Sequence, residues 1–128
     1  MADFATPTIR TFQVFPDLPP GLAPLLELAK NFWWMWHPDA VDLFRRLDRD
    51  LWEQVYHNPV KLLGAIDQNK LMTASKDEGY LAHQQRVYDA FRKHVDQPGW
   101  CQDTHGGKAP LKVAYFSAEF GLHESLPI

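Results

Sequence analysis

Prolines punctuate this chain, and their positions limit its fold more than any other feature. Pro24, Pro38 and Pro59 interrupt a stretch, Gly21 to Asp96, whose apolar residues otherwise recur at three- and four-residue spacing. A proline has no amide donor and its ring clashes with the turn before it, so each can sit only in the first turn of a helix. The stretch must therefore fold as several short helices that bury their apolar stripes against one another.

Leu22, Leu25, Leu26, Ala29, Phe32, Trp33 and Trp36 share one face of a predicted helix starting near Leu22 or Ala23. It ends at His37, because a residue before proline is pushed out of the α region. Pro38 opens a second helix with Ala40, Val41, Phe44 and Leu47 inward. Asp48 or Asp50 caps a short third one, striped by Leu51, Trp52, Val55 and Tyr56. Asn58 and Pro59 read as N-cap and first helical residue, with Val60, Leu62, Leu63 and Ile66 next on its face.

Ser75 and Glu78 form a capping box for a helix carrying Tyr80, Gln84, Val87, Tyr88, Phe91 and Val95 on one face, ended by Pro98-Gly99. Before this region, Thr8 to Phe15 alternates partly, as an extended segment or an arm wrapping a neighbour would. After it, 96–110 is a turn-rich linker with Gly106-Gly107. The sum is five or six helices, no internal repeat, and one strand at Val113-Ala114-Tyr115-Phe116.

With 45% hydrophobic residues, 128 residues suffice for one modest core, and five Trp, eight Phe and four Tyr argue against disorder. The net charge of −3 with no basic run gives no nucleic-acid footprint. Cys101 is the only cysteine, which fits a reducing intracellular compartment. The N-terminus lacks the pattern of a secretory signal, and no window approaches the roughly 18 apolar residues of a membrane span. A soluble, cytoplasmic protein is expected, without membrane partners.

The candidates for chemistry are few. Trp33 and Trp36 lie on the predicted core face, whereas Trp34 is rotated off it and suits a contact surface or a sugar-stacking platform. Six histidines show no metal-ligand spacing, and Cys101 with His105 is too small a set for structural zinc. No base can be named that would activate Cys101 as a nucleophile. Arg45-Arg46 and Asp48-Arg49-Asp50 read as solvated faces and caps, with an unspecific anion site at the arginine pair as the alternative.

Ser117 to Ser125 stands apart, because polar groups crowd the point where an apolar strand emerges. Gly121 allows close backbone approach, Glu119 and Glu124 can accept from hydroxyls, and His123 can donate or accept. On the chemistry alone, a binding crevice and a satisfied polar turn weigh equally.

The segment VAYFSAEFGLHESLPI, Val113 to Ile128, resembles the first core strand and loop of the α-glucan phosphorylases, in the subfamily with an extra helical region in front. LAKNFWWMWHPDAVDLFRRLD (Leu28 to Asp48) and LWEQVYHNPVKLL (Leu51 to Leu63) resemble that helical region. The resemblance implies a mainly α, bundle-like N-terminal region followed by the first strand of a truncated α/β domain of the Rossmann-like glycosyltransferase-B type. It divides the chain into an extended arm (1–20), a helical domain (21–97), a linker (98–111) and the start of the catalytic domain (112–128).

It also implies a parent enzyme that cleaves terminal α-1,4-glucosyl units with inorganic phosphate, giving glucose 1-phosphate. Pyridoxal phosphate would be its cofactor, on a lysine expected beyond Ile128 and not on Lys108 or Lys112. The 128-residue chain alone is expected to be inactive. Its implied partners are the rest of the catalytic domain, α-glucan and phosphate, and a second copy in a homo-oligomer. Carried over by position, Glu119, Gly121, His123, Glu124 and Ser125 would line or support the substrate crevice. The competing reading is a stand-alone helical carbohydrate-binding or regulatory module using Trp34.

Overall fold

A computed structural model describes residues 16–106 together with Ala114 and Phe116. Its described part is mainly α, as the spacing predicts. A 3-10 turn, Pro20–Leu22, leads into α1 (Pro24–Ala29), and a second, aromatic 3-10 turn lies at Phe32–Trp36. Then come α2 (Pro38–Leu47), α3 (Arg49–Gln54), α4 (Pro59–Ala65), α5 (Gln68–Ala74), the 19-residue α6 (Glu78–Asp96) and α7 (Trp100–His105).

The punctuation acts where the sequence places it. Pro24, Pro38 and Pro59 each occupy a first helical turn. Asp48 Oδ1 accepts from Leu51 N (3.2 Å), which makes Asp48 the cap of α3 and not Asp50. Asn58 Oδ1 accepts from both Val60 N and Lys61 N at 3.0 Å, so α4 opens with two of its orphan amides satisfied.

The core gathers where α1 and α2 lie against α6, with α3, α4 and α5 packed around them. Leu22, Leu25, Leu28, Leu43, Phe44, Leu62 and Leu71 are fully buried, and Trp52 and Phe91 nearly so. Burial of an aliphatic or phenyl side chain of this kind contributes about 1.5–3 kcal/mol. Directional bonds fix the register: Tyr80 Oη donates to Leu43 O (3.1 Å), and Gln84 Nε2 donates to Gly21 O (2.8 Å). Tyr88 Oη and Arg92 Nη1 both reach Glu27, tying α6 to α1.

Several expectations are overturned. The helix predicted to run through Trp36 stops after Ala29, because Asn31 turns extended (φ −117°, ψ 128°) and accepts from Trp33 N. That break resets the rotational phase. Trp34 goes into the core, while Trp36 comes out to 65% exposure. Leu26 is also exposed, since only Leu25, Leu28 and Ala29 of α1 meet the core.

Ser75 does not cap the long helix. It ends α5, an unforeseen helix capped by Asp67, and its hydroxyl donates to Met72 O. Asp77 caps α6 instead, accepting from Tyr80 N at 3.0 Å. Tyr56 leaves the α3 stripe because the backbone turns left-handed there (φ 54°). Val60 and Val95 face outward at the first turn of α4 and the last turn of α6.

The segment read as a linker contains α7. Of the strand expected at Val113–Phe116, only Ala114 and Phe116 are described; neither belongs to a strand, and Phe116 is exposed. The rest of that segment lies outside the described residues.

Candidate functional site

Two of the grooves on the surface of the helical region differ in chemistry. The larger, of about 780 Å³, lies among α2, α3, α5 and α6 and is lined mainly by charged side chains. At its centre is His83, on the buried stripe of α6. Arg46 Nη1 lies 2.9 Å from His83 Nδ1, and a guanidinium can only donate, so Nδ1 is the acceptor and the ring proton sits on Nε2. From there it is shared between Asp39 O (3.0 Å) and Asp39 Oδ1 (2.9 Å).

Arg86 completes the cluster with two hydrogen bonds of 3.2 Å to Asp39. Its hydrogen bond, opposed by desolvation and aided by the charges around it, holds the Asp39 carboxyl below the usual carboxylate range. The Arg46 guanidinium also stands over the Tyr80 ring, 5.4 Å from its centroid. Burial pushes the Tyr80 phenol far above its ordinary value, so it remains a donor to Leu43 O. Lys70 pairs with Asp48 and lowers its pKa, chiefly through the hydrogen bond between them.

This cluster holds helices together and shows no reaction centre. Its five cationic residues alternate with four aspartates, so the anion site left open for Arg45-Arg46 has almost no net positive field. Arg45 is taken by Asp42 at 2.7 Å and Arg46 by His83. Among the described residues, no Ser, Thr or Cys lines the cleft as a nucleophile beside His83. No group of three or more metal-binding side chains occurs among the described residues.

Sequence reading missed Asp39 and His83. His83 lies one turn before Val87 on the stripe, which is the signal that could have found it.

The second groove, of about 240 Å³, is lined by Trp34, Met35, Val41, Arg45, Trp52 and His57. Trp52 stacks on Phe44 (6.1 Å between centroids, 8° between planes), and Trp34 meets both edge-on. The stripe predicted for α2 and α3 forms the back of this wall. Trp34, expected to be the surface tryptophan, is 4% exposed and part of it.

Glu119, Gly121, His123, Glu124 and Ser125 all lie outside the described residues. A Schiff-base lysine needs a desolvated or otherwise depressed amine. Lys30, Lys61, Lys70, Lys76 and Lys93, the lysines among the described residues, are all exposed. These residues do not fit pyridoxal phosphate. Nor is any described helix long and apolar enough to cross a membrane.

The chain belongs to the family described as "Protein of unknown function (DUF3417)", which matches residues 18–126. Within that match the likeness to α-glucan phosphorylases is plain. The chain is 37% identical over 124 residues to a glycogen phosphorylase of Mycobacterium tuberculosis, covering 93% of the chain and 14% of the relative. With a maltodextrin phosphorylase of Thermococcus litoralis it shares 35% over 116 residues, 91% of the chain and 14% of the relative. With a glycogen phosphorylase of Aquifex aeolicus it shares 38% over 106 residues, 81% of the chain and again 14% of the relative. The chain thus spans about a seventh of the length of these relatives. No solved structure matches it. The resemblance drawn from the sequence motifs is borne out.

Proposed function

We propose that this chain is the N-terminal region of an α-glucan phosphorylase, an enzyme that moves a terminal α-1,4-glucosyl unit onto inorganic phosphate and releases glucose 1-phosphate. The observation that carries this reading is 35–38% identity, over 81–93% of the chain, to proteins named glycogen or maltodextrin phosphorylase. Within that enzyme, 21–97 is the helical domain, 112–128 begins the catalytic domain, and 98–111 joins the two. Glu119, Gly121, His123, Glu124 and Ser125 line or support the substrate crevice.

Pyridoxal phosphate, which supplies a phosphate group for proton transfer in such enzymes, is held by another part of the polypeptide. The exposure of every described lysine supports that division. The helical region's own contribution is architectural, since its cleft charges are spent on one another. The enzyme is cytoplasmic, in keeping with a single cysteine in 128 residues. The stand-alone sugar-binding reading loses its anchor, since Trp34 is buried.

The test is phosphorolysis. The polypeptide as its source cells make it, supplied with maltodextrin, phosphate and pyridoxal phosphate, should release glucose 1-phosphate, and the 128-residue chain should release none. An inactive full-length protein, or an active 128-residue chain, would sink the proposal.

A further inference from the structure

We infer that the aromatic corner formed by the Phe32–Trp36 turn and the junction of α3 with α4 is the face on which the remainder of the phosphorylase polypeptide docks, with one of its apolar side chains seated in the 240 Å³ groove. The inference rests on the phosphorylase reading and adds the surface through which the two parts meet.

What marks this face is two exposed aromatics flanking groove residues in sequence. Trp36 is 65% exposed and Tyr56 75%, and each sits next in sequence to a groove residue, Met35 and His57. Large aromatics at the mouth of an apolar groove are the residues that dominate protein interfaces when covered. Size and charge then select the occupant. Small-molecule sites run from about 300 to 1,000 Å³, so this groove admits a single side chain more readily than a glucan.

Its two polar rim groups are already matched, Arg45 by Asp42 (2.7 Å) and His57 by Glu53 (2.8 Å). What remains between them is the surface of Trp34, Met35, Val41 and Trp52, which favours an apolar guest. The relatives supply such a neighbour, because the matched region is only 14% of their length. A tethered partner also binds at a high effective concentration, so a modest groove is enough.

Backbone geometry supports the same face. Tyr56 and His57 are consecutive non-glycine residues at φ 54° and 60°, a left-handed conformation that disfavours side chains bearing a Cβ. His57 N closes the turn on Trp52 O at 3.0 Å. The strain turns Tyr56 outward beside the groove.

Hydroxyl-radical footprinting of the full-length protein, native and denatured, reads this directly. Trp36 and Tyr56 should be protected in the native protein by roughly tenfold relative to the denatured one, as covered hot-spot residues are. Labelling at rates matching the exposure of the helical region alone would overturn the inference, as would protection that disappears on dilution, which would assign the face to a second copy. Protection induced only by maltodextrin would assign it to sugar and equally overturn it.

In the full-length protein, Trp36→Ser with Tyr56→Ser should raise labelling at Met35 and lower the urea midpoint; an unchanged midpoint counts against docking. Phosphorolysis is scored separately. An active enzyme with unprotected Trp36 defeats this inference alone, and a protected Trp36 in an inactive protein defeats the function alone. A source polypeptide no longer than this chain leaves no occupant and defeats both.

Discussion

The His83 corner and the Trp52 corner solve the same problem, fastening α2 to its neighbours, with opposite materials. At the first, Asp39, Arg46, His83 and Arg86 satisfy one another through hydrogen bonds of 2.9–3.2 Å and leave little for a ligand. At the second, Phe44 and Trp52 stack, Trp34 meets both edge-on, and the packing ends at a groove flanked by exposed aromatics. Polar closure is saturable, because each donor is used once. Apolar packing is not, so it can accept one more partner.

That contrast makes ordered predictions. The largest effect belongs to Trp52→Ala, which removes a side chain only 1% exposed; urea unfolding should show a loss of about 3–5 kcal/mol. A loss below about 1 kcal/mol would mean the aromatic corner is slack. His83→Leu deletes the bridge between α2 and α6 and should cost about 1–2 kcal/mol by the same measurement, since its partners are charged but part-exposed. Should it cost as much as Trp52→Ala, the ranking of the two corners would be wrong.

In the 128-residue chain, where no docked partner covers Tyr56, Tyr56→Gly relieves a left-handed backbone and should raise stability by about 0.5–1 kcal/mol, visible as a higher urea midpoint. A destabilised variant would show that Tyr56 already makes a stabilising contact.

The smallest effect is acid dependence. Asp39 and Asp48 have carboxyl pKa values lowered in the fold, by hydrogen bonds from Arg86 and Lys70 first. A lowered folded value means their contribution is present above the unfolded carboxylate pKa, about 3.9, and fades as pH falls through the folded one. Asp39→Asn should therefore flatten the stability curve below about pH 4: it costs a little stability at neutral pH, small because the pair is solvent-screened, and the two proteins converge in acid. A pH titration of thermal unfolding that is equally steep in both proteins would refute this.

Legibility in the sequence tracks local constraint. Pro38, Asp48 and Asn58-Pro59 announce their helices because each acts within three residues. Asn31 is easily passed over, although it too is a cap, because the apolar spacing on either side happens to continue across it. That one residue exchanges the places of Trp34 and Trp36. Ser75 misleads for the reverse reason: it fits a motif, but α5 claims it and Asp77 stands closer to the helix. The Asp39–His83–Arg46 cluster is hidden because His83 lies 37 residues from Arg46 and 44 from Asp39 and meets them only once α6 is packed. The proposed crevice residues, Glu119 to Ser125, lie outside the described residues.

The length of α6 carries a consequence for biosynthesis. Isolated helices shorter than about 12–15 residues are marginal in water, and the five that precede α6 have six to ten residues each. Among the described helices, only the 19-residue α6 is long enough to persist by itself, and it leaves the ribosome after all five. Nascent chains ending before Asp96 should therefore be open to protease and to chaperones, and the whole region should become resistant in one step once α6 clears the exit tunnel.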